Sequence, residues 1–474
     1  MLKKNGSPQL KLHTFTIEDL MPQDHFLRDV DSLVDFDFIY EKVEGLYSHT
    51  GRGSIDPVVI IKMLLIGYLY GIMSERKLEK EIIVNIAYRW FLGLNLDDDI
   101  PDHSTISQLR RRKFKDSNLF QEIFDEIVRR CIDAGLVDGT LLLRDSTHIR
   151  ANVRDDLREK ITVAVEPSEY MKKLDELALQ DELIKTTKKT SPLAKEKTKE
   201  ITESITDPDC GILNREGKPN GFHYLCYETV DSKNGIITDV DVTAGNNHDA
   251  NGCSQRLQYQ IEKFGFETEE FGADTGFDSG EVHSDMLEMN IRTYIPIKES
   301  RNQYSDLIFR QSDFEYNSEE NHYICPNGCK LKFSSFAKGK GYLIYAASTK
   351  DCRICPIRNE CISSEKSKYR TIYRLYHQAE IDIQRKNNET ARYNEVMRLR
   401  QIWCEGNHSH QKARHCLSRA KMRGIEKVME QCLMSACALN LIRLVKGLKK
   451  QRNTSVFTHI FDVFANFRLY FAFA

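Results

Sequence analysis

The sequence predicts an α/β protein in which a mixed five-stranded sheet with flanking helices follows an all-helical N-terminal domain and is interrupted by a β-rich, cysteine-containing insertion. Three observations lead there. Between residues 136 and 299, short β-branched and aromatic runs alternate with amphipathic stretches in the order β-(insertion)-β-β-α-β-α-β. Ahead of them lie apolar runs that open on helix-start signals, and behind them five cysteines fall within residues 300–375. A length of 474 residues exceeds one typical core, and 41% hydrophobic residues suffice to bury several. The expected division is an N-terminal helical domain at 1–135, the first part of the sheet domain at 136–299, the cysteine insertion at 300–375, a helical C-terminal part at 376–450 and an apolar aromatic tail at 451–474.

In the N-terminal region Asp56-Pro57 reads as an N-cap followed by proline at the first helical position, opening a buried helix over Val58–Tyr70. Ser74 caps the next helix, and Asp102–Thr105 starts a third that carries the basic cluster Arg110, Arg111, Arg112 and Lys113. The spacing allows a helix-turn-helix-like unit in which that cluster contacts DNA; the alternative is a helical cap with a solvated basic face.

Thr140–Ile149 reads as a buried strand ending in Arg144-Asp145-Ser146-Thr147. Residues 152–219 differ in composition, with Lys and Glu at helical spacing in Lys172–Lys199 and a Pro-, Gly-, Asp- and Asn-rich stretch at Asp207–Gly221, so an insertion that is part charged helix and part loop is expected. Phe222–Val230 and Ile236–Thr243 flank Asn234-Gly235, a strong hairpin signal. His248-Asp249 reads more simply as a turn and a cap than as a catalytic pair. A helix to about Phe264, a strand entering Asp274, a helix at about 279–289 with Asp278 as its N-cap, and a strand over Ile291–Ile297 complete the set.

Three acidic signatures, LLLRDSTH, FGADTGFDSG and WCEGNHSHQK, each supply one carboxylate: Asp145, Asp274 and Glu405. A site that cuts a phosphodiester with divalent metal needs acidic oxygens converging on two hard cations about 3.5–4 Å apart, and acids this distant in sequence meet only through a fold. Two Mg²⁺ (or Mn²⁺) ions held by these three residues would lower the pKa of a bound water and stabilise the leaving 3′-oxygen, and a freed 3′-hydroxyl can replace water as the attacker.

Around Glu405 the basic density is the highest on the chain, with Arg398, Arg400, Lys412, Arg414, Arg419 and Arg423 expected to track DNA; Lys412, His408 and His410 are candidate phosphate contacts. The formal net charge of -2 means that any polyanion surface is local. No secretory pattern and no apolar run of membrane-spanning length stand out, so a cytoplasmic protein without a membrane partner is expected. The 13 cysteines, an odd number, argue for reduced thiols or metal ligands. Cys325-x₃-Cys329 and Cys352-x₂-Cys355, with Cys361 beyond, suit a structural Zn²⁺, and equally a set of reduced structural thiols. The tail Val456–Ala474 is expected to pack on the body or on another protomer.

With these motifs in hand, residues 10 to 445 resemble the RNase-H-like DDE transposases of bacterial insertion sequences. Asp274-Thr275-Gly276-Phe277 is similar to the family's second-acid motif, and the spacing from Glu405 to Lys412 matches its third. The third motif is similar to the subgroup reading Glu-Gly rather than Glu-Pro, and Arg414, Arg419, Arg423-Gly424 and Asn440-Leu441 resemble that subgroup's ending. Where other groups carry a Tyr and an Arg before the Glu, this chain has Arg398 and Gln401. The resemblance implies cleavage at element ends, strand transfer of the 3′-OH into target DNA, terminal inverted repeats as partner, and homodimers on paired ends. The alternatives are a metal-dependent DNA nuclease without strand transfer and an inactive DNA-binding regulator derived from a transposase.

Overall fold

A computed structural model describes residues 14–47, 54–115, 117–165, 169–180, 197–214, 220–297, 309–362, 364 and 366–471, with side chains to residue 452. The strands of the first part are β1 (Leu141–Arg150), β2 (Arg158–Val165), β3 (Lys197–Ser204), β4 (Gly211–Leu213), β5 (Gly221–Asp231), β6 (Ile237–Ala244), β7 (Glu270–Ala273) and β8 (Arg292–Tyr294). The main sheet is mixed and six-stranded, running β8-β7-β1-β5, with β4 and β6 sharing the outer edge of β5. β1 is antiparallel to β5 and parallel to β7, which is parallel to β8. Leu141, Leu142 and Leu143 are all buried because β1 lies inside the sheet with helices over both faces. The extra strand relative to expectation is β4, a short piece in the stretch read as loop.

Asn234-Gly235 turns the β5–β6 hairpin as expected, with Gly235 at φ +74°. A Cβ there would stand 2.3 Å from the Trp403 ring, so the turn is also where the segment bearing the third acid docks. Gly272 on β7 plays a similar part. A Cβ at that position would lie 2.6 Å from Cγ1 of Val396, so its bare backbone admits the helix Ala391–Arg400 onto the face shared by β1 and β7.

The N-terminal helix starts fall where expected. Asp56 Oδ1 accepts from Val58 N–H at 2.8 Å, Ser74 caps Glu75–Val84, and Asp102 caps His103–Arg112. No break in packing follows residue 135, however: the N-terminal helices and the sheet share one core, joined by the helix that starts at Ile425. Within it, Leu136 packs so closely on Gly447 that a Cβ there would be 2.7 Å away. The stretch Ile425–Arg452 has the length and apolar composition to cross a membrane, contrary to the reading that no such run exists. Most of it is buried against the N-terminal helices and β6, where Asn440 gives and takes hydrogen bonds with the backbone of Ile237.

The charged insertion departs from expectation. Glu169–Gln180 is helical, but β2 and β3 pair as a two-stranded antiparallel sheet. The alternation Ile161, Val163, Val165 and the Thr-Lys-Glu-Ile-Thr run at 198–202 is a period-two signal that the Lys and Glu content obscured. Residues 181–196 of that reading lie outside the described residues, as do the side chains of the aromatic tail. The cysteine insertion is β-rich as expected: β9 (Glu315–Asn317), β10 (His322–Ile324), β11 (Lys330–Ala337), β12 (Tyr342–Ala347) and β13 (Thr371–Leu375) form an antiparallel sheet in the order β13-β12-β11-β10-β9 with its own small core.

Candidate active site

Asp145 lies within β1, not at its end, at the level where β7 stops. Because Arg144 pairs with Ala273 in parallel register, the next residues come to one level, Asp145 inside β1 and Asp274 just past the end of β7. Asp145 is buried; Ser146 N–H donates to its Oδ1 at 2.8 Å and Arg400 Nη1 to its Oδ2 at 3.0 Å. Burial pushes its carboxyl up to about 6, against the pull of Arg400 and with the added repulsion of Glu405 and Asp249. Asp274 follows β7 and accepts from Gly276 N–H at 2.8 Å. Burial first, then the charges of Asp145 and Asp249, raise its pKa above the ordinary carboxylate range.

Glu405 reaches the same place from the opposite layer. Arg400, at the end of the helix Ala391–Arg400, spans the acids, with Nη2 3.2 Å from Glu405 Oε1. The backbone between them is a π turn, Gln401–Glu405, which adds one residue to the helical repeat and so sets positions 400 and 405 on one side. The basic residue beside the third acid is therefore Arg400, one place earlier than a regular helix would have it. Glu405 is half exposed, at 51% of its side chain, whereas Asp145 keeps only 10%. One carboxylate is fixed at the floor and one is open to an incoming ligand.

A fourth carboxylate joins them. Asp249 Oδ1 accepts from Ser146 Oγ at 2.8 Å, and a Cβ on Gly276 would meet Asp249 Oδ2 at 2.5 Å and Asp274 Oδ1 at 3.0 Å. Its loop was read as a turn and a cap. The missed signal was position: Asp249 follows β6, which runs in the same direction as β1 and β7. Behind Asp145, directly across the β1–β5 pair, Glu228 is wholly buried, with its pKa raised by desolvation and His408 Nε2 at 3.5 Å from Oε2. His408 thus faces inward rather than towards a phosphate. Asp278 is not a cap either: Ser279 caps Gly280–Glu288, and Asp278 pairs with His283 and Arg385.

The remaining predicted residues fall into three groups. Arg398, Arg414, Arg419 and Arg423 are exposed and Lys412 is partly so; Arg423 Nε donates to the Asn152 carbonyl at 2.9 Å and Arg419 reaches the Asn152 side chain. Arg111 and Arg112 are exposed, but Arg110 turns inward, its side chain only 7% exposed between Glu75 and Glu430, and so works inside the protein. Cys325, Cys329, Cys352, Cys355 and Cys361 converge on one small cavity in the β9–β13 lobe.

Comparison with known proteins now bears on this geometry. Residues 15–112 match the family described as Transposase domain (DUF772), and residues 324–445, which include Glu405, match the family described as Transposase DDE domain. The resemblance is thus to the DDE-type transposases. It lies on both sides of Asp145 and Asp274, and one match carries the third acid itself. No curated protein matches the chain. A solved structure of the piggyBac transposase synaptic complex with hairpin DNA aligns over 92% of this chain and 75% of that one, at 8% identity and a TM-score of 0.36.

Proposed function

We propose that this transposase-like chain cleaves DNA at the ends of a mobile element and joins the freed 3′-OH to target DNA, with Asp145, Asp274 and Glu405 as the catalytic carboxylates. The observation that carries the reading is their convergence, with Asp249, around the single guanidinium of Arg400. The strand order and directions of the sheet favour the RNase-H-like reading of its architecture. The donor set fits hard divalent cations, since the carboxylates offer oxygen ligands and, among the described residues, their negative charge exceeds that of the Arg400 guanidinium bonded to them. Mg²⁺ or Mn²⁺ ions held there would supply Lewis acidity towards a phosphodiester and a water of lowered pKa.

The protein's own groups do the rest. The sheet fixes Asp145 and Asp274 before substrate arrives, so no reorganisation is needed when charge develops. Arg400 offsets part of the acids' charge through its bonds to Asp145 and Glu405, and would be free to turn towards a phosphate if cations were held there. The exposed Arg398, Arg414, Arg419 and Arg423, with Lys412, offer a basic path for double-stranded DNA beside Glu405. Pairing of two element ends calls for a homodimer on DNA, in a cytoplasmic, nucleoid-associated setting.

The experiment is strand transfer. Purified protein, Mg²⁺ and a labelled duplex bearing the element's terminal repeats are incubated with a target plasmid. Label joined covalently to the plasmid is expected; cut ends without joining would leave a nuclease, and tight end binding without cutting would leave a DNA-binding regulator.

A further inference from the structure

Thirteen cysteines are present, and the structure divides them. Eight are buried singly or in pairs within the main core, while Cys325, Cys329, Cys352, Cys355 and Cys361 are all half-buried and all line one cavity of about 20 Å³ in the β9–β13 lobe. That is room for about one water-sized occupant. The segments that carry them are short turns. Cys325 and Cys329 close the β10–β11 turn, where Cys325 N–H donates to the Cys329 carbonyl at 2.9 Å, Gly328 takes φ +76°, and Cys329 N–H points at Cys325 Sγ at 3.3 Å. Cys352 lies in the short helix Thr349–Arg353, and Cys355 follows it on the next turn.

Asp351 also lines the cavity, so the thiols have an acidic neighbour. Arg370 borders the cavity on the Cys361 side, donating to the Cys361 carbonyl at 2.8 Å, so Cys361 has a positive neighbour of its own. The lobe's own core is small, made of Phe314, Tyr323, Leu331, Tyr345, Ala347 and Ile372, while Phe336 of β11 packs instead against Leu174 and Ala178 of the helix Glu169–Gln180. A sheet this small is ordinarily held by a disulfide or a metal.

We propose that Cys325, Cys329, Cys352 and Cys355 form a structural tetrathiolate zinc site that fixes the β9–β13 lobe, with Cys361 outside the ligand set. Two pairs with three and two intervening residues match the spacing of closed zinc sites. Binding replaces the four thiol protons by one Zn²⁺ and releases those protons to solvent, with no change of oxidation state. The site is separate from the carboxylates, so it stands or falls independently of DNA cleavage.

The test uses the full chain purified in reductant without added metal. Plasma mass spectrometry is expected to give about one zinc per chain, and Cys361→Ser is expected to keep it while Cys352→Ser/Cys355→Ser loses at least about nine-tenths. In case the double variant does not fold, Co²⁺ exchanged into the unmutated protein is read by absorption; intense tetrahedral bands with thiolate charge transfer support the site. Folded protein lacking zinc with all five thiols open to Ellman's reagent, a six-coordinate Co²⁺ spectrum, iron in place of zinc, or zinc lost in Cys361→Ser but kept in Cys329→Ser would each overturn the assignment.

Discussion

Replacing Asp145 by Asn should make the metal-free protein more stable while abolishing its activity. Burial lifts this carboxyl from 3.8 to about 6 despite its bond to Arg400, so the ionised form is disfavoured in the folded protein. At about 1.4 kcal/mol for each pKa unit, holding the charge at neutral pH costs about 3 kcal/mol. Asparagine removes that cost but forfeits a charged hydrogen bond to Arg400, so a net gain of about 2 kcal/mol is expected in chelator at about pH 7.5. The sign with pH follows from a raised acid. Above the folded value the native state carries the full penalty; as pH falls through about 6 the native carboxyl takes up a proton that the unfolded chain does not bind until about 4, and the wild type recovers stability. Denaturant unfolding of both proteins in chelator, repeated at about pH 7.5 and pH 5, should therefore show the gap narrowing at the lower pH. Adding Mg²⁺ should stabilise the wild type, by about 2.7 kcal/mol at a hundredfold excess over its dissociation constant, and the variant far less. A variant less stable than wild type in chelator, or a gap independent of pH, would refute the reasoning.

Four further substitutions probe the geometry. Gly276→Ala sets a Cβ 2.5 Å from Asp249 Oδ2 and 3.0 Å from Asp274 Oδ1, so Mn²⁺ affinity by calorimetry should fall about tenfold while unfolding changes little. Gly272→Ala crowds Val396 across the sheet–helix interface and should cost about 1–3 kcal/mol in denaturant melts, with lower cleavage because Arg400 and Glu405 ride on that helix and the turn after it. Arg110→Ala leaves Glu430 buried without its partner and should cost about 3–5 kcal/mol, whereas Arg111→Ala should stay within about 0.5 kcal/mol and weaken DNA binding instead.

Much of the candidate site was legible because its signals are local. Asp145, Asp274 and Glu405 each sit in a short motif, and Asp56-Pro57, Ser74, Asp102 and Asn234-Gly235 act through hydrogen bonds within a few residues, so the structure reproduces them. What was not legible depends on distant partners. Asp249 joins the site through Ser146, 103 positions away, and nothing around His248 shows that. Arg110 and Arg111 are neighbours in one basic run; only the approach of Glu430 from the C-terminal helix decides which of them is buried. The π turn before Glu405 is a one-residue insertion without a Pro or Gly to mark it, visible in sequence only as Gln401 where arginine was expected. β2 and β3 were hidden by composition, since Lys and Glu on an exposed ribbon read as a charged helix. The core shared across residue 135 was not legible because it is the long helix from Ile425 that returns to fill it.

End cleavage is the most direct test that four separated stretches of chain make one metal-carboxylate site. Wild type, Asp145→Asn, Asp274→Asn and Glu405→Gln should be incubated with Mg²⁺ or Mn²⁺ and labelled DNA carrying the element's ends. Cleavage at the ends is expected of wild type only, with end binding retained by all three variants. Equal cutting by any of the three would contradict it.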